Sequence, residues 1–320
     1  MSREKDKSTT PPGGFTGRDV AEAHTPFPKG RVAAWLLTLA IAAYCAWSVA
    51  INENFGWPVV AQYFFDPTVI RGLYVSLGLT VIAMVIGIAI GLLLAVARLS
   101  KDGLARSLAS LFIWFFRGTP LLVQLIFWYN LSTLFPTLSI GIPFGPTFMS
   151  WDTNSVISPM TAAIAGLALN EAAYMAEIIR GGLLSVDRGQ FETAESFGMT
   201  RARALRRIII PQAMRSIVPP TGNQLISMIK ATSLVSVIAM ADLLYSVQSI
   251  YNRTFEVVPM LLVAVIWYLL ITSVLNIGQS YIERYYSRGD RQSGAGKPAK
   301  DDVPAVTAVP SRIVAQETAQ

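Results

Sequence analysis

The chain alternates long stretches that carry no charge with short segments crowded by it. Val32 to Ile51 is 20 consecutive uncharged residues and Leu73 to Ala97 is 25. At about 1.5 Å per residue, each is long enough to cross a hydrocarbon core of about 30 Å. Ser107 to Phe135 is apolar apart from Arg117, which sits in an Arg117-Gly118-Thr119-Pro120 break, and Val257 to Ile282 is 26 residues without a charge. Two further apolar stretches hold ionisable groups. Met160 to about Ile179 contains Glu171 and Glu177, and Ser216 to about Ser249 is interrupted by Pro219, Pro220, Lys230 and Asp242. A charge facing lipid costs at least about 2.5 to 3.5 kcal/mol, so these two helices are expected to face protein or water. The pattern predicts an all-α polytopic membrane protein of about six transmembrane helices.

The basic residues orient those spans. Residues 1–31 hold six Lys and Arg, 98–106 three, 180–215 seven and 283–320 six, whereas 52–71, 136–159 and 249–256 hold one, none and one. By the positive-inside rule the four basic segments are cytoplasmic, which puts both termini inside. The segments 1–31 and 286–320 have no hydrophobic period and are expected to be disordered tails. Ser48-Val49-Ala50 has the small-x-small form of a signal-peptide cleavage site. The apolar run before it is too long, however, and its polar lead too extended, so 32–51 is read as a retained extra span.

Composition narrows the function classes. Only 14% of the 320 residues are charged and 52% are apolar, which disfavours a soluble enzyme. The net charge of +6 follows topology rather than a nucleic-acid-binding stripe, and no nucleic acid is expected as partner. One cysteine, Cys45, and one histidine, His24 in a Pro-flanked polar tail, support no disulfide framework, His-based metal site or Ser-His-Asp machine. No phosphate-binding Gly-x-x-x-x-Gly-Lys-Ser/Thr loop is present, so no cofactor is expected and any ATP would be hydrolysed on another chain.

The most informative segment is 181–215. It reads as two short helices meeting at Gly198, which suits a helix-terminating position of positive φ, with Thr200 capping the second helix and Pro211 stopping or kinking it. Phe191, Ala194 and Phe197 fall on one face of the first helix. A helical elbow tied to a span at each end is built to transmit force.

Glu192-Thr193-Ala194, three residues, Gly198, nine residues, then Ile208-x-Ile210-Pro211 resembles the EAA loop of ABC-importer permeases. Thr193 replaces the usual Ala, and Ile210 the usual Leu. The runs Phe116 to Gln124, Asn170 to Ile178, Pro211-Gln212-Ala213 and Lys230 to Leu234 are similar to the polar amino-acid branch, and the resemblance covers about 70–285. It implies a bacterial inner-membrane permease working by alternating access in a dimer with a second copy or paralogue. It also implies separate cytoplasmic ATPase subunits that grip the loop, and an extracytoplasmic amino-acid-binding protein.

Asn170, Tyr174 and Glu177, spaced i, i+4, i+7, share one helix face. That face either lines the translocation pathway or glues helices together. Lys230, Thr232 and Ser233 are further pathway candidates. Arg117 is expected to hold the backbone carbonyls freed by the break at Gly118, Thr119 and Pro120. Gly87 and Gly91 form a GxxxG that would bring helices close. Two readings of other classes stand beside the importer: an ion-coupled secondary transporter using Glu171, Glu177 and Asp242, and a membrane scaffold or sensor that uses the elbow to recruit a partner.

Overall fold

The computed structural model describes residues 29–142 and 147–286, so both expected tails lie essentially outside the described residues. Two compact units divide at Phe55 and Gly56. The first holds one helix, α1 (Lys29–Ile51), followed by a single 3₁₀ turn at Glu53–Phe55. Its residues from Gly30 to Ile51 are all exposed within this unit.

The second unit opens with α2 (Trp57–Tyr63), α3 (Pro67–Leu99), α4 (Gly103–Gly118) and α5 (Leu121–Tyr129). The one-turn α6 (Leu131–Leu134), an antiparallel hairpin β1 (Thr137–Gly141) and β2 (Thr147–Asp152), and the one-turn α7 (Thr153–Val156) lead into α8 (Pro159–Leu184). Then come α9 (Arg188–Ser196), α10 (Arg201–Ala204), α11 (Ile210–Ala231), α12 (Leu243–Thr254) and α13 (Val257–Tyr286). Acidic and hydroxyl caps define many starts: the Asp66, Asp102, Ser158 and Asp242 side chains accept from first-turn N–H groups of α3, α4, α8 and α12.

All six expected apolar stretches are helical. Among the described residues, four helices are long and apolar enough to cross a membrane unbroken, α1, α3, α8 and α13, or up to six spans if each of two bent pairs counts as one. One pair is α4 and α5, bent by 103° at the predicted Gly118-Thr119-Pro120 break; the other bends by 46° before α12. This second break falls between Lys230 and Asp242, two of the four expected interruptions, and not at the two prolines. Helix α11 runs straight through Pro219 and Pro220, although each interior proline costs about 3 kcal/mol. It is supported by packing against α8 and α13 and by Gln279 of α13, whose Nε2 donates to the Pro219 carbonyl at 2.8 Å. The chain turns instead at Ala239, where φ is +57°, after a 3₁₀ stretch over Thr232–Ile238.

Helix α8 is the axis of the core. It packs on α3, α4, α5 and α11 and buries a run of small residues that includes Ala163, Gly166, Ala172 and Ala176. Without water to drive apolar burial, close approach through small side chains is what holds such helices together. The expected GxxxG does this on α3: a Cβ on Gly87 would lie 2.8 Å from Glu171 Cγ, and one on Gly91 2.7 Å from Met175 Cβ. A second apolar cluster joins α2, the first half of α3, α12 and α13 around Val69, Leu243 and Met260. Its Trp267 stacks on Phe64 at 4.7 Å and donates Nε1–H to the Phe64 carbonyl.

Candidate functional site

The elbow between α8 and α11 is closed by backbone hydrogen bonds. Asp187 starts α9 by accepting from Gly189 N at 2.6 Å. At its end, Met199 N–H bonds the Ala194 carbonyl at 3.0 Å and Gly198 N–H the Glu195 carbonyl at 2.9 Å. This paired arrangement requires a left-handed residue at Gly198, whose φ is +66°. No atom lies within 4 Å of where a Gly198 Cβ would be, so glycine answers to backbone conformation rather than crowding.

Of the three residues read on one face of α9, Ala194 is buried, Phe191 is 42% exposed and Phe197 is 81% exposed, so the alanine seats α9 and Phe197 projects outward beside Gly198. Glu192 and Thr193 are also exposed. Thr200 occupies the position before α10, yet its side chain makes no cap; the Thr200 carbonyl instead accepts from Ala204 N–H.

Pro211 neither stops nor kinks the second arm. A π-helical turn over Leu205–Ile209 carries α10 into α11, and Pro211 falls in the first turn of α11, where its missing N–H is tolerated. Ile209 and Ala213 are fully buried against Val186, with Ile208 packed beside them, while Ile210 is exposed. Gln212 Nε2 donates to Gln190 Oε1 at 3.2 Å, tying the two arms together. The arginines at 201, 203, 206 and 207 remain on the surface.

The second polar centre is the α4–α5 break, where a carbonyl freed inside an apolar bundle must find a donor. Gln124 and Asn170 supply it, not Arg117. Gln124 Nε2 donates to the Phe116 carbonyl at 3.0 Å and to the Thr119 carbonyl and hydroxyl at 3.1 and 2.7 Å. Asn170 Nδ2 donates to the same Phe116 carbonyl at 3.0 Å and to Gln124 Oε1 at 3.3 Å. Arg117 turns away to lie over the Tyr174 ring, 5.4 Å from its centroid. Gly118, with open space around it, and Pro120, which precedes α5, shape the bend.

Farther along the same face of α8, Glu177 pairs with Arg180 at 2.7 Å and with Arg98 of α3 at 3.5 Å. A cavity of about 520 Å³ opens there, lined by Arg98, Ser110, Trp114, Arg117 and Glu177. The other candidates do not join this group. Lys230 is exposed at the end of α11, and the Thr232 and Ser233 hydroxyls bond back to the Ile229 and Lys230 carbonyls of their own helix.

Of the acids read for ion coupling, Asp242 is buried and caps α12 through Leu244 N and Tyr245 N, with Tyr268 OH 3.4 Å away. Glu177 is paired on both sides. Glu171 alone is buried with an oxygen, Oε1, that has no partner. Sequence reasoning overlooked Gln124 and Arg98. The signal for Gln124 was a lone amide in an apolar helix immediately after a break.

Residues 87–288 match the family model described as binding-protein-dependent transport system inner membrane component. The chain belongs to that family. The permease is 43% identical over 288 residues to the arginine transport system permease protein ArgU of Corynebacterium glutamicum, covering 86% of this chain and 89% of the relative. It is 34% identical to the glutamine transport system permease protein GlnP of Escherichia coli, covering 71% of this chain and 94% of that one. A solved amino acid ABC transporter with histidines superposes with a TM-score of 0.60 at 37% identity, over 70% of the permease and 97% of that chain. The MetNI methionine ABC transporter, at 17% identity, a TM-score of 0.56 and 69% and 97% coverage, shares the fold. The permease is thus a bacterial inner-membrane transport subunit rather than an enzyme.

Proposed function

We propose that this permease carries an amino acid inward by alternating access, driven by ATPase subunits that grip the elbow from Glu192 to Pro211. The observation that carries the reading is mechanical. The elbow's backbone is closed on itself by the Gly198 turn, its second arm is continuous with α11, and Phe197, Glu192 and four arginines are left exposed for a partner. Force applied there passes into α11 along one unbroken helical arm.

The relatives named for arginine, glutamine and cystine transport support an amino-acid cargo, and the relative with 86% coverage makes arginine the first substrate to assay. Binding-protein-dependent transport implies an extracytoplasmic binding protein as well as the ATPase. The pathway is assigned to a dimer, of two identical copies or of this chain and a paralogue. Glu177 and Arg117 line the cavity assigned to it, and Tyr174 lies beneath Arg117. The basic loops support a cytoplasmic elbow and cytoplasmic termini.

Reconstitution into proteoliposomes tests this reading. Uptake of labelled arginine or glutamine should require the ATPase, ATP and the binding protein together. Uptake driven by an ion gradient with those partners absent would overturn it, and so would failure to transport any amino acid with all of them present.

A further inference from the structure

The hairpin β1–β2 is read from sequence as an ordinary loop, yet its register sorts the side chains by polarity. Thr137 pairs with Asp152 and Ser139 with Ser150, while Leu138 pairs with Trp151 and Ile140 with Met149. Directly paired residues share a face of the ribbon. Over these four pairs one face is therefore Thr, Asp, Ser and Ser, and the other Leu, Trp, Ile and Met; Phe148, also exposed, sits at the bulge beyond them. The apolar face is not used by the core: Ile140 is 62% and Met149 55% exposed.

The ribbon is also closed at its base. Thr153, fully buried, donates its N–H to the Pro136 carbonyl at 3.0 Å and its hydroxyl to the Phe135 carbonyl, which joins the two flanks of the hairpin to each other. An isolated two-stranded ribbon is marginal in water and needs its apolar face covered.

We propose that this hairpin is a membrane-interface strap, its Leu138, Ile140, Met149 and Trp151 face bedded in the boundary between lipid headgroups and acyl chains. It lies at the end of α8 opposite the elbow. Four observations select lipid. The face is roughly 17 Å by 10 Å from strand length and spacing, or about 170 Å², far below the about 800 Å² per partner of a stable protein interface.

Segment 136–159 contains no Lys or Arg and one acid, Asp152, which sits on the polar face and caps α7. Nothing charged therefore opposes burial of the apolar face. The face is also continuous along the chain with exposed Leu134 and Phe135 on one side and Val156 and Met160 on the other. Trp151 supplies the amphipathic ring favoured at that depth. The inference needs only the membrane-spanning fold, not the proposed coupling.

Full-length protein with Cys45→Ser, assembled with its ATPase in nanodiscs of phosphatidylethanolamine and phosphatidylglycerol, provides the test. Single cysteines replace Ile140 or Ser139, both exposed, and carry an environment-sensitive fluorophore. The label at 140 should emit at shorter wavelength than the label at 139 and be quenched by phospholipids spin-labelled near the headgroup. The label at 139 should be quenched by aqueous iodide. Equal emission and equal iodide quenching at both sites would overturn the strap. So would a shift at 140 that appears only on adding binding protein, or that is lost in nanodiscs holding one copy, since either outcome assigns the face to protein.

Discussion

The elbow and the α4–α5 break are both places where a helix ends and the chain turns, but they satisfy their backbones in opposite ways. At the elbow, carbonyls are met by other backbone groups through the Gly198 turn, so the surrounding side chains stay free. At the break, the Phe116 and Thr119 carbonyls are met by the Gln124 and Asn170 side chains, which are thereby committed. A water-facing turn can leave its side chains to a partner. A turn within an apolar bundle spends them on itself. Polarity on an intramembrane face is therefore weak evidence of substrate contact until its hydrogen bonds are counted.

The sharpest way to break this comparison is Gly198→Asp. Uptake should be abolished while the thermal unfolding midpoint moves little, because the left-handed backbone costs only about 1 to 2 kcal/mol for an ordinary residue and no neighbour is displaced. Gly198→Asn, which tolerates that conformation better, should restore part of the uptake. Transport at the unmodified rate in the Asp variant would remove the elbow from the coupling device.

At the break the signature should reverse. Gln124→Leu leaves the Thr119 carbonyl without its side-chain donor, while the Phe116 carbonyl keeps Asn170, and should lower stability by about 1 to 3 kcal/mol. Thermal unfolding in lipid reads this, with the remaining folded fraction transporting at normal KM. Asn170→Leu should cost less, about 1 kcal/mol, because the Phe116 carbonyl keeps Gln124. A raised KM at unchanged stability would return Asn170 to the substrate pathway. Glu177→Gln should show the smallest stability effect, within about 1 kcal/mol, since its ion pairs with Arg98 and Arg180 are partly exposed. A larger loss on unfolding would mean that the pair holds α3 to α8.

Much of this was legible in the sequence, for identifiable reasons. The apolar stretches set the helices because a membrane core demands length and hydrophobicity together. Gly198 could be read because only glycine adopts its φ cheaply. The continuity of α11 through Pro219 and Pro220 could not, because local proline cost was outweighed by packing and by Gln279, 60 residues away in sequence. Arg117 misled because its charge suggested a donor role that two neutral amides fill at shorter reach. The hairpin escaped notice because the alternation of Thr-Leu-Ser-Ile-Gly spans only five residues, too few to separate from a Ser/Thr-rich loop.

The π turn at Leu205–Ile209 has a geometric consequence. It adds one residue to the helical count, and one residue corresponds to about 100° of rotation. The arginines of the elbow are thus aimed by an angular offset built into the chain, one that also lets Ala204 and Ile209, five residues apart, face inward together. Deleting a single residue in 205–209 should relax the turn and swing those arginines about 100° around the α11 axis. Spin-label distances between α9 and α10 would register the change. The elbow's compass bearing would then be set by one surplus amino acid.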